Sequence, residues 1–329
     1  MKILRVFCAM YLCFCIVLTI SFGAFKIKEK HNFSDEIKER KVINVWHVES
    51  FSSGFGSKKN FLLEAIRVFE KKHTDVLINL TCFDVNTIKN NIDKNILPDV
   101  ISFSYGLEIL PNVTFEQTKN DGAGRIGDIS YARVWCKGSY FLISKNKESL
   151  SQKNLDEIII VERNNTFPAI ALVGDYCTKK INYVNERNAV KNFIDNNFVM
   201  LATETEVVKL ENLNENFFAL PITNFNDRLQ FISITSLDTA KQYYSKEFAE
   251  FLFSKEIQEK LIKINMYSNY FELSFDSEKL NRGNYLGNFN SIPLFDFNKN
   301  YEIINNTSTL AISGDENAKN KLKKIIVSS

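Results

Sequence analysis

Apolar residues recur at helical spacing in one early segment of the chain, and short apolar runs flank that segment. Residues 42–47 form an apolar run typical of a strand, and residues 49–57 form a small, polar loop. A helix is predicted next, with Lys58 and other charged residues turned outward, and it is followed by a strand over residues 76–80. The apolar face of this helix would consist of Phe61, Leu62, Ala65, Ile66, Val68 and Phe69.

Strands continue to alternate with helices further along the chain. Residues 85–96 have the pattern of a helix, and residues 100–104 have the consecutive apolar positions of a strand covered on both faces. This alternation predicts a doubly wound sheet, in which ligands bind beyond the carboxyl ends of the strands. The rule directs attention to the residues from His47 to Ser57 and to those from Ser104 to Gly106.

The second half of the chain gives a similar but less regular pattern. We predict strands over residues 135–144, 166–173 and 198–203, a helix followed by a strand over residues 147–160, and helices over residues 181–196 and 247–263. Residues 314–317 are predicted to cap a final basic helix that ends near residue 326.

The N-terminus has the composition of a membrane-targeting segment. Lys2 and Arg5 precede an uncharged run over residues 6–25, and further lysines follow it. The run is long enough to cross a bilayer, yet cleavage after Gly23 is also compatible with the sequence, so residues 1–25 are either a signal peptide or a retained anchor. Residues 26–40 then form a charged tether, and the rest of the chain is expected outside the cytoplasm.

Composition excludes several classes of function. The chain has 329 residues with 45% hydrophobic content, which is enough for two modest cores. The net charge of +2, with both signs interspersed, offers no electrostatic footprint for nucleic acid. Cys82, Cys136 and Cys177 are an odd, widely spaced set, so we interpret them as small buried hydrophobic residues, with one disulfide as the alternative.

No sequence motif supports a catalytic, cofactor-binding or metal-binding site. We therefore predict neither enzymatic activity nor a cofactor or metal. The chain has three histidines and lacks G-x-S-x-G, H-E-x-x-H and a P-loop lysine. Gly122, Gly124 and Gly127 do spell G-x-G-x-x-G. A dinucleotide fingerprint must follow a strand and open a helix, whereas this one follows polar residues and leads into a strand-like run, so we predict a loop.

The order of several short motifs resembles the extracellular solute-binding proteins of ABC importers, specifically family 1, which carries sugars. The matching pieces are Val45-Trp46-His47, Phe69-Glu70-Lys71-Lys72-His73, Pro98-Asp99-Val100 and the segments 135–144 and 227–234. The resemblance implies a two-lobed α/β fold, each lobe a doubly wound sheet flanked by helices, with hinge strands between the lobes. Lobe 1 would contain residues 41–132 plus about 232–270 and lobe 2 residues 133–231, while residues 271–329 would pack across both lobes.

The resemblance also implies what the protein binds and with what it works. It implies a monomer that closes over a small polar solute, a sugar or oligosaccharide, and delivers it to permease subunits. The alternative is a membrane-tethered sensor or partner-binding protein of the same fold, because the lipid-attachment motif common in the family is missing. Trp135 is the candidate for stacking on a sugar face. The full candidate set is His47, Glu49, Ser50, Phe51, Ser53, Phe103, Ser104, Tyr105, Trp135, Thr203, Glu204 and Gln230.

Overall fold

Two five-stranded sheets, each flanked by helices, form the described body of the protein. The computed structural model describes residues 40–107, 114–115, 122–163, 166–222, 225–271, 273 and 292–327. From Lys41 onward these residues belong to one compact unit. The predicted membrane segment, residues 1–25, and all but the last residue of the predicted tether lie outside the described residues.

The strands and helices alternate along most of the chain. The strands are Lys41–Val48 (β1), Val76–Phe83 (β2), Val100–Phe103 (β3), Arg125–Ile126 (β4), Ile129–Ser130 (β5), Arg133–Lys137 (β6), Tyr140–Ser144 (β7), Asn154–Glu162 (β8), Cys177–Asn185 (β9), Val199–Thr203 (β10), Phe218–Ile222 (β11) and Leu229–Ile234 (β12). The α-helices are Lys58–Lys72 (α1), Val85–Asp93 (α2), Glu186–Asp195 (α3), Glu204–Asn212 (α4), Thr239–Leu252 (α5), Lys255–Gln258 (α6), Leu294–Lys299 (α7), Tyr301–Ile312 (α8) and Glu316–Val327 (α9).

The two sheets share one plan. The first has the order β2-β1-β3-β12-β6, with β1 parallel to β2 and β3 and with β12 antiparallel to both β3 and β6. The second has the order β11-β7-β10-β8-β9, with β8 parallel to β9 and β10, and with β7 antiparallel to β10 and β11. We call the first sheet with its helices lobe 1 and the second sheet with its helices lobe 2. The two-lobed α/β fold predicted from the sequence is confirmed.

Helix α1 shows why the early part of the chain was predictable. Ser57 caps its first turn by accepting a hydrogen bond from the backbone N–H of Asn60 at 3.1 Å. The apolar residues predicted for this helix are buried in the core of lobe 1, except Val68, which is half-buried. The buried ones are Phe61, Leu62, Ala65, Ile66 and Phe69. Lys58 is an exception, because its side chain is fully buried rather than turned outward.

Several sequence-based element predictions were wrong. Residues 247–263 were predicted as one helix, but α5 already begins at Thr239 and ends at Leu252, and α6 and the 3-10 helix Glu259–Ile264 follow it. Residues 166–173 were predicted as a strand, but they contain the 3-10 helix Pro168–Leu172, which the fixed φ of Pro168 favours at its first turn. Residues 181–196 were predicted as one helix. In the structure β9 runs to Asn185, and Asn185 is also the N-cap of helix α3, which begins at Glu186. The helix predicted over residues 85–96 ends early, at Asp93. Asn95, two residues later, adopts a left-handed φ of 56°.

The crossings between the lobes are short. The predicted strand over residues 135–144 is divided between β6 in lobe 1 and β7 in lobe 2, with Gly138 and Ser139 between them. The chain returns between β11 and β12, where Asn226 donates a hydrogen bond to the carbonyl of Gly138 at 2.7 Å. The strand Arg133–Lys137 thus pairs within the first sheet, although we predicted that residue 133 begins lobe 2.

The C-terminal helices contact both lobes. In lobe 1, the side chain of Asn298 accepts a hydrogen bond from the N–H of Gly106 and donates one to the carbonyl of Leu107, both at 2.7 Å. In lobe 2, the hydroxyls of Tyr183 and Thr309 are 2.6 Å apart. Apolar side chains from both sheets and from α7 and α8 join in one continuous core. The C-terminal helices therefore tie the lobes together.

Candidate ligand-binding site

A groove with a volume of about 1010 Å³ lies where the two lobes meet. Its walls are the segments that follow or end four parallel strands, β1 and β2 from lobe 1 and β8 and β9 from lobe 2. The lining residues are Glu49, Ser50, Phe51, Ser52, Asp84, Val85, Asn86, Glu162, Arg163, Asn185, Glu186 and Arg187. The groove therefore lies at the carboxyl ends of parallel strands, as the rule for open α/β sheets predicts.

Ion pairs organise the lobe 2 wall of the groove. Arg163, directly after β8, forms salt bridges with Glu186 at the start of α3 and with the buried Glu206 in the first turn of α4. Burial opposes ionisation of Glu206, but Arg163 and the hydrogen bonds from Thr203 keep its pKa below the usual value. Thr203 and Glu206 form a reciprocal capping box at the start of α4. The position of Arg163 at the groove is thus fixed by two helices of the same lobe.

The lobe 1 wall is held differently, by the start of a helix. Asp84 accepts hydrogen bonds from the N–H groups of Asn86 and Thr87, both at 2.9 Å, and so caps α2. The hydroxyl of Thr87 also bonds to Asp84, and these contacts lower the pKa of the Asp84 carboxyl. Asp84 therefore carries a negative charge at neutral pH.

Two buried cations hold the loop after β1. The Lys58 ammonium donates to the carbonyl of Phe51 and lies 3.4 Å from the centre of the Phe51 ring. The Arg228 guanidinium donates to the carbonyl of Ser52 at 3.2 Å and to the Glu204 carboxylate at 2.7 Å. Both members of the Arg228–Glu204 pair have fully buried side chains. Because Glu204 belongs to lobe 2 and Ser52 to lobe 1, Arg228 joins the two lobes.

The loop after β1 is in direct contact with the N-terminal end of α4, next to the Arg228–Glu204 ion pair. The hydroxyl of Thr205 donates to the carbonyl of Ser53 at 3.2 Å. A Cβ atom added to Gly54 would lie 2.7 Å from the Cβ of Glu204 and 2.6 Å from the Cβ of Asn265. The lack of a side chain at Gly54 is therefore what allows the loop of lobe 1 to approach the N-terminus of α4 in lobe 2.

A second buried polar cluster centres on the hydroxyl oxygen of Ser102. His47 Nδ1 lies 3.1 Å from this atom, Trp135 Nε1 donates to it at 3.0 Å, and Gln230 donates to it at 3.1 Å. Burial, together with the charge of Lys58, lowers the pKa of His47 to about 3, so its imidazole is neutral at pH 7. This cluster links β1, β3, β6 and β12 inside lobe 1.

The structure brings some of the predicted site residues together at the groove and places others elsewhere. Glu49, Ser50 and Phe51 line the groove. The remaining candidates lie outside its lining, and all of them are buried: His47, Ser53, Phe103, Ser104, Tyr105, Trp135, Thr203, Glu204 and Gln230. A role for these residues in solute contact stays a prediction.

Several of those buried residues have clear structural partners. The ring of Trp135 stacks on Phe61 with 5.6 Å between ring centres. The Tyr105 hydroxyl donates to the carbonyl of Ile292 at 2.9 Å, and the ring of Phe103 lies 5.9 Å from that of Phe231. These contacts stabilise lobe 1 and attach the C-terminal segment to it.

Sequence reasoning missed the groove residues supplied by β9 and by the starts of α2 and α3. The missed positions Asn185, Glu186 and Arg187 follow from the wrong helix prediction over residues 181–196, which hid the end of β9. Glu162 and Arg163 were also missed, although they follow a predicted strand. Asp84 followed by Asn86 and Thr87 has the composition of a helix cap and could have been recognised. Arg228 lies next to a predicted crossing, but nothing in its local sequence indicates burial.

The three cysteines of the described region are free thiols. Cys136 is fully buried, and burial raises the pKa of its thiol to about 12. Cys82 and Cys177 are half-buried. Within the described ranges, no group of three or more His, Cys, Asp or Glu side chains could hold a metal ion. A search of the same residues for a helix long and apolar enough to cross a membrane finds none.

Comparison with solved structures identifies the fold. The sugar-binding protein MalE from Xanthomonas citri aligns with a TM-score of 0.59 at 12% identity, covering 88% of this chain and 98% of that one. The GacH receptor of Streptomyces glaucescens GLA.O, solved unliganded and with acarbose, gives 0.57 at 13% identity, with 88% and 99% covered. The galacto-N-biose/lacto-N-biose I-binding protein of a Bifidobacterium longum ABC transporter gives 0.55 at 10% identity, with 88% and 96% covered.

Sequence comparison adds nothing to this. No protein-family model matches the chain, and no curated protein matches it. At identities of 10–13% the structural likeness shows the fold alone. Two of the structural neighbours are described as binding proteins of ABC transporters, and several neighbours bind sugars by their own descriptions.

Proposed function

We propose that the protein is an extracytoplasmic solute-binding protein that takes a small polar solute, a sugar or oligosaccharide, into the groove between its lobes. The observation that carries the proposal is the groove itself, whose walls come from strand ends of both lobes. A solute that contacts both walls stabilises the closed arrangement only through contacts that are absent when the lobes separate. The bound form would then be presented to permease subunits of an importer, by a monomer that has no catalytic activity of its own.

The chemistry of the groove fits a polar solute. Serine and asparagine side chains and carboxylates dominate the lining, and these groups can satisfy hydroxyl groups that would otherwise be buried without partners. Among the described residues of the lining, Phe51 is the one aromatic residue, and only 5% of it is exposed. Binding would therefore depend mainly on hydrogen bonds rather than on ring stacking.

Calorimetry with a matched pair of blocking variants tests the proposal. Asn86 lines the groove at the start of α2, whereas the exposed Asn90 one turn later does not line it. We expect Asn86→Trp to abolish binding of any oligosaccharide that binds the wild type, because the indole would fill the groove, and Asn90→Trp to leave binding unchanged. A panel of mono- and oligosaccharides that gives no heat with the wild type would count against the proposal.

A membrane-tethered sensor is the second candidate, and the contacts between the lobes favour it. Arg228, Gly54 and the C-terminal helices join the lobes through contacts of the protein itself. Such a protein could signal through a partner instead of delivering cargo. Uptake of the radiolabelled solute by cells with and without the protein separates the two: uptake that depends on the protein supports import, whereas binding without an effect on uptake supports sensing.

A further inference from the structure

Two buried cations lie behind the segment Ser50–Ser52 of the groove wall. Lys58 and Arg228 are both fully buried, and they donate to the carbonyls of Phe51 and Ser52. The ring of Phe51 lies close to both, with its centre 3.4 Å from the Lys58 ammonium and 5.1 Å from the Arg228 guanidinium carbon. The loop that lines the groove is thus backed by positive charge.

The position of Lys58 is electrostatically unfavourable. Lys58 is the first residue of the 15-residue helix α1, where the helix dipole favours negative charge. Among the described residues, the direct contacts of its ammonium are the carbonyl and the ring of Phe51, and neither supplies a full negative charge. The carboxylates of Glu49 and Glu204 act on it only through longer-range electrostatics. A buried ammonium is costly unless a charged partner compensates it. A residue of this kind at a groove is a candidate for receiving an anion.

Further buried donors next to these cations have no hydrogen-bond partner among the described residues. They include Nε and Nη1 of Arg228 and the hydroxyl of Ser50, and Ser50 itself lines the groove. Arg228 thus uses only part of its donor set on Glu204 and Ser52, although a guanidinium has five N–H donors. Planar carboxylates match that donor geometry well.

We propose that Lys58 and Arg228 form a receiving pair for an anionic group of the solute, so that the groove takes a singly charged polar solute such as a sugar acid rather than a neutral sugar. The anionic group would reach the pair when the ring of Phe51 turns aside, and its oxygens would replace the carbonyls of Phe51 and Ser52 as acceptors. This inference rests on the proposed function, because it names the class of solute for the same groove.

The outer part of the groove limits the charge of the solute. Glu49, Asp84, Glu162 and Glu186 are exposed carboxylates of the lining, and Glu186 is paired with Arg163. Exposed charges are screened by water and salt, whereas buried cations act on a nearby anion at low dielectric. The exposed carboxylates therefore disfavour a solute that carries several negative charges, but they leave room for one anionic group at the floor.

Affinity for an anion should then depend on the protonation of Lys58. Burial lowers the pKa of this ammonium to about 7, with smaller opposing contributions from neighbouring groups. The titratable and charged groups that act on Lys58 or are affected by it are His47, Glu49, Cys136, Glu204 and Arg228. An anion binds the charged form of Lys58 better, so its affinity should fall as pH rises above 7.

Three monosaccharides that differ mainly in charge provide the test. Calorimetry at fixed ionic strength would compare glucuronate, glucose and glucosamine on the full-length protein in detergent, with Lys58→Met, Lys58→Arg and the exposed neighbour Lys59→Met. We expect the wild type and Lys59→Met to bind glucuronate about tenfold more tightly than glucose, and glucosamine more weakly still. Lys58→Met should lose the preference, and Lys58→Arg should retain most of it.

A second measurement needs no variant. In the wild type, glucuronate affinity should decrease between pH 6 and 8.5 while glucose affinity stays constant, whether or not Lys58→Met folds. Equal binding of all three sugars, or tighter binding of glucosamine, would overturn the anion proposal and leave the proposed function intact. Binding of none of the three would overturn the anion proposal, and the oligosaccharide panel with Asn86→Trp would then decide the proposed function separately.

Discussion

The loop after β1 in lobe 1 and the segments after β8 and β9 in lobe 2 face the same groove, but the fold holds them in different ways. Ser50 and Phe51 are buried, and the loop backbone is bound by Lys58 and Arg228. On the opposite wall, Glu162 and Arg187 are exposed side chains. The loop after β1 is therefore part of the protein interior, whereas the lobe 2 wall is largely protein surface apart from the buried pair of Arg163 and Glu206.

This difference separates stability from recognition. Changes in the buried wall should alter the free energy of unfolding, because Lys58 and Arg228 hold the loop backbone and the Arg228–Glu204 pair is fully buried. Changes at the exposed residues Glu162 and Arg187 of the other wall affect solvated side chains and should alter ligand affinity with little effect on stability. Urea unfolding of variants in the two walls therefore tests this contrast.

Arg228→Met should destabilise the protein most. The substitution leaves the fully buried Glu204 carboxylate without its cation and removes the hydrogen bond to the carbonyl of Ser52. Breaking a buried ion pair by removing one partner costs about 3–5 kcal/mol. Urea unfolding followed by circular dichroism would measure the loss.

The double variant Arg228→Met with Glu204→Gln is the control for this prediction. It removes both charges, so it should be less destabilised than the sum of the two single variants. If the single and double variants unfold at the wild-type urea concentration, the pair contributes nothing and the contrast between the two walls fails.

Gly54→Ala should come next, because the added methyl group has no space between the lobes. A Cβ at Gly54 would lie 2.6 Å from the Cβ of Asn265 and 2.7 Å from the Cβ of Glu204. Relieving such overlap in a packed region costs about 1–3 kcal/mol. Gly122→Ala is the matched control, since a Cβ at Gly122 meets no atom within 4 Å. Equal urea midpoints for the two variants would show that the loop does not press against lobe 2.

Lys58 should make the free energy of unfolding of the protein depend on pH. Its pKa is lowered by burial to about 7 in the folded protein from 10.5. Between these values the unfolded chain binds more protons than the folded chain, so the free energy of unfolding should rise with pH. From pH 7 to 8.5 the rise due to Lys58 should be about 1–2 kcal/mol.

Urea titrations of wild type and Lys58→Met at several pH values isolate this contribution. Lys137, whose pKa burial lowers to about 8, is present in both proteins and contributes equally. The free energy of unfolding of the wild type should therefore increase relative to that of Lys58→Met as the pH rises. Parallel pH profiles would mean that Lys58 stays charged in the folded state.

The same contrast explains how much of the site could be predicted from the sequence. Local patterns give the elements, so helix α1, strand β1 and the position of Glu49, Ser50 and Phe51 at a strand end were predictable. Burial of Lys58 was not, because a lysine at a helix start normally extends into water. Residues distant in sequence determine that burial, because the two sheets bring Arg228 and Glu204 next to the loop.

Trp135 illustrates the same limit. Its aromatic ring and its place near the crossing between lobes predicted a role in solute stacking. The structure puts it on β6, next to β12 in the first sheet, where its ring stacks on Phe61 and its indole N–H binds Ser102. The order of strands in the sheet sets this environment, and a local sequence pattern does not contain that order.

The smallest expected effect belongs to an ion pair of similar geometry on the surface of lobe 2. Lys179 on β9 bonds to Asp156 on β8 at 2.7 Å, the same distance as the Arg228–Glu204 pair, but the two side chains are 81% and 88% exposed. Water solvates both charges in the unfolded and folded chains, so the pair gains little on folding. Lys179→Met should leave the urea midpoint within experimental error of the wild type, at low as well as at physiological salt. A loss approaching that of Arg228→Met would mean that distance rather than burial decides the contribution of an ion pair in this protein. The contrast between the buried and the exposed wall of the groove would then have to be abandoned.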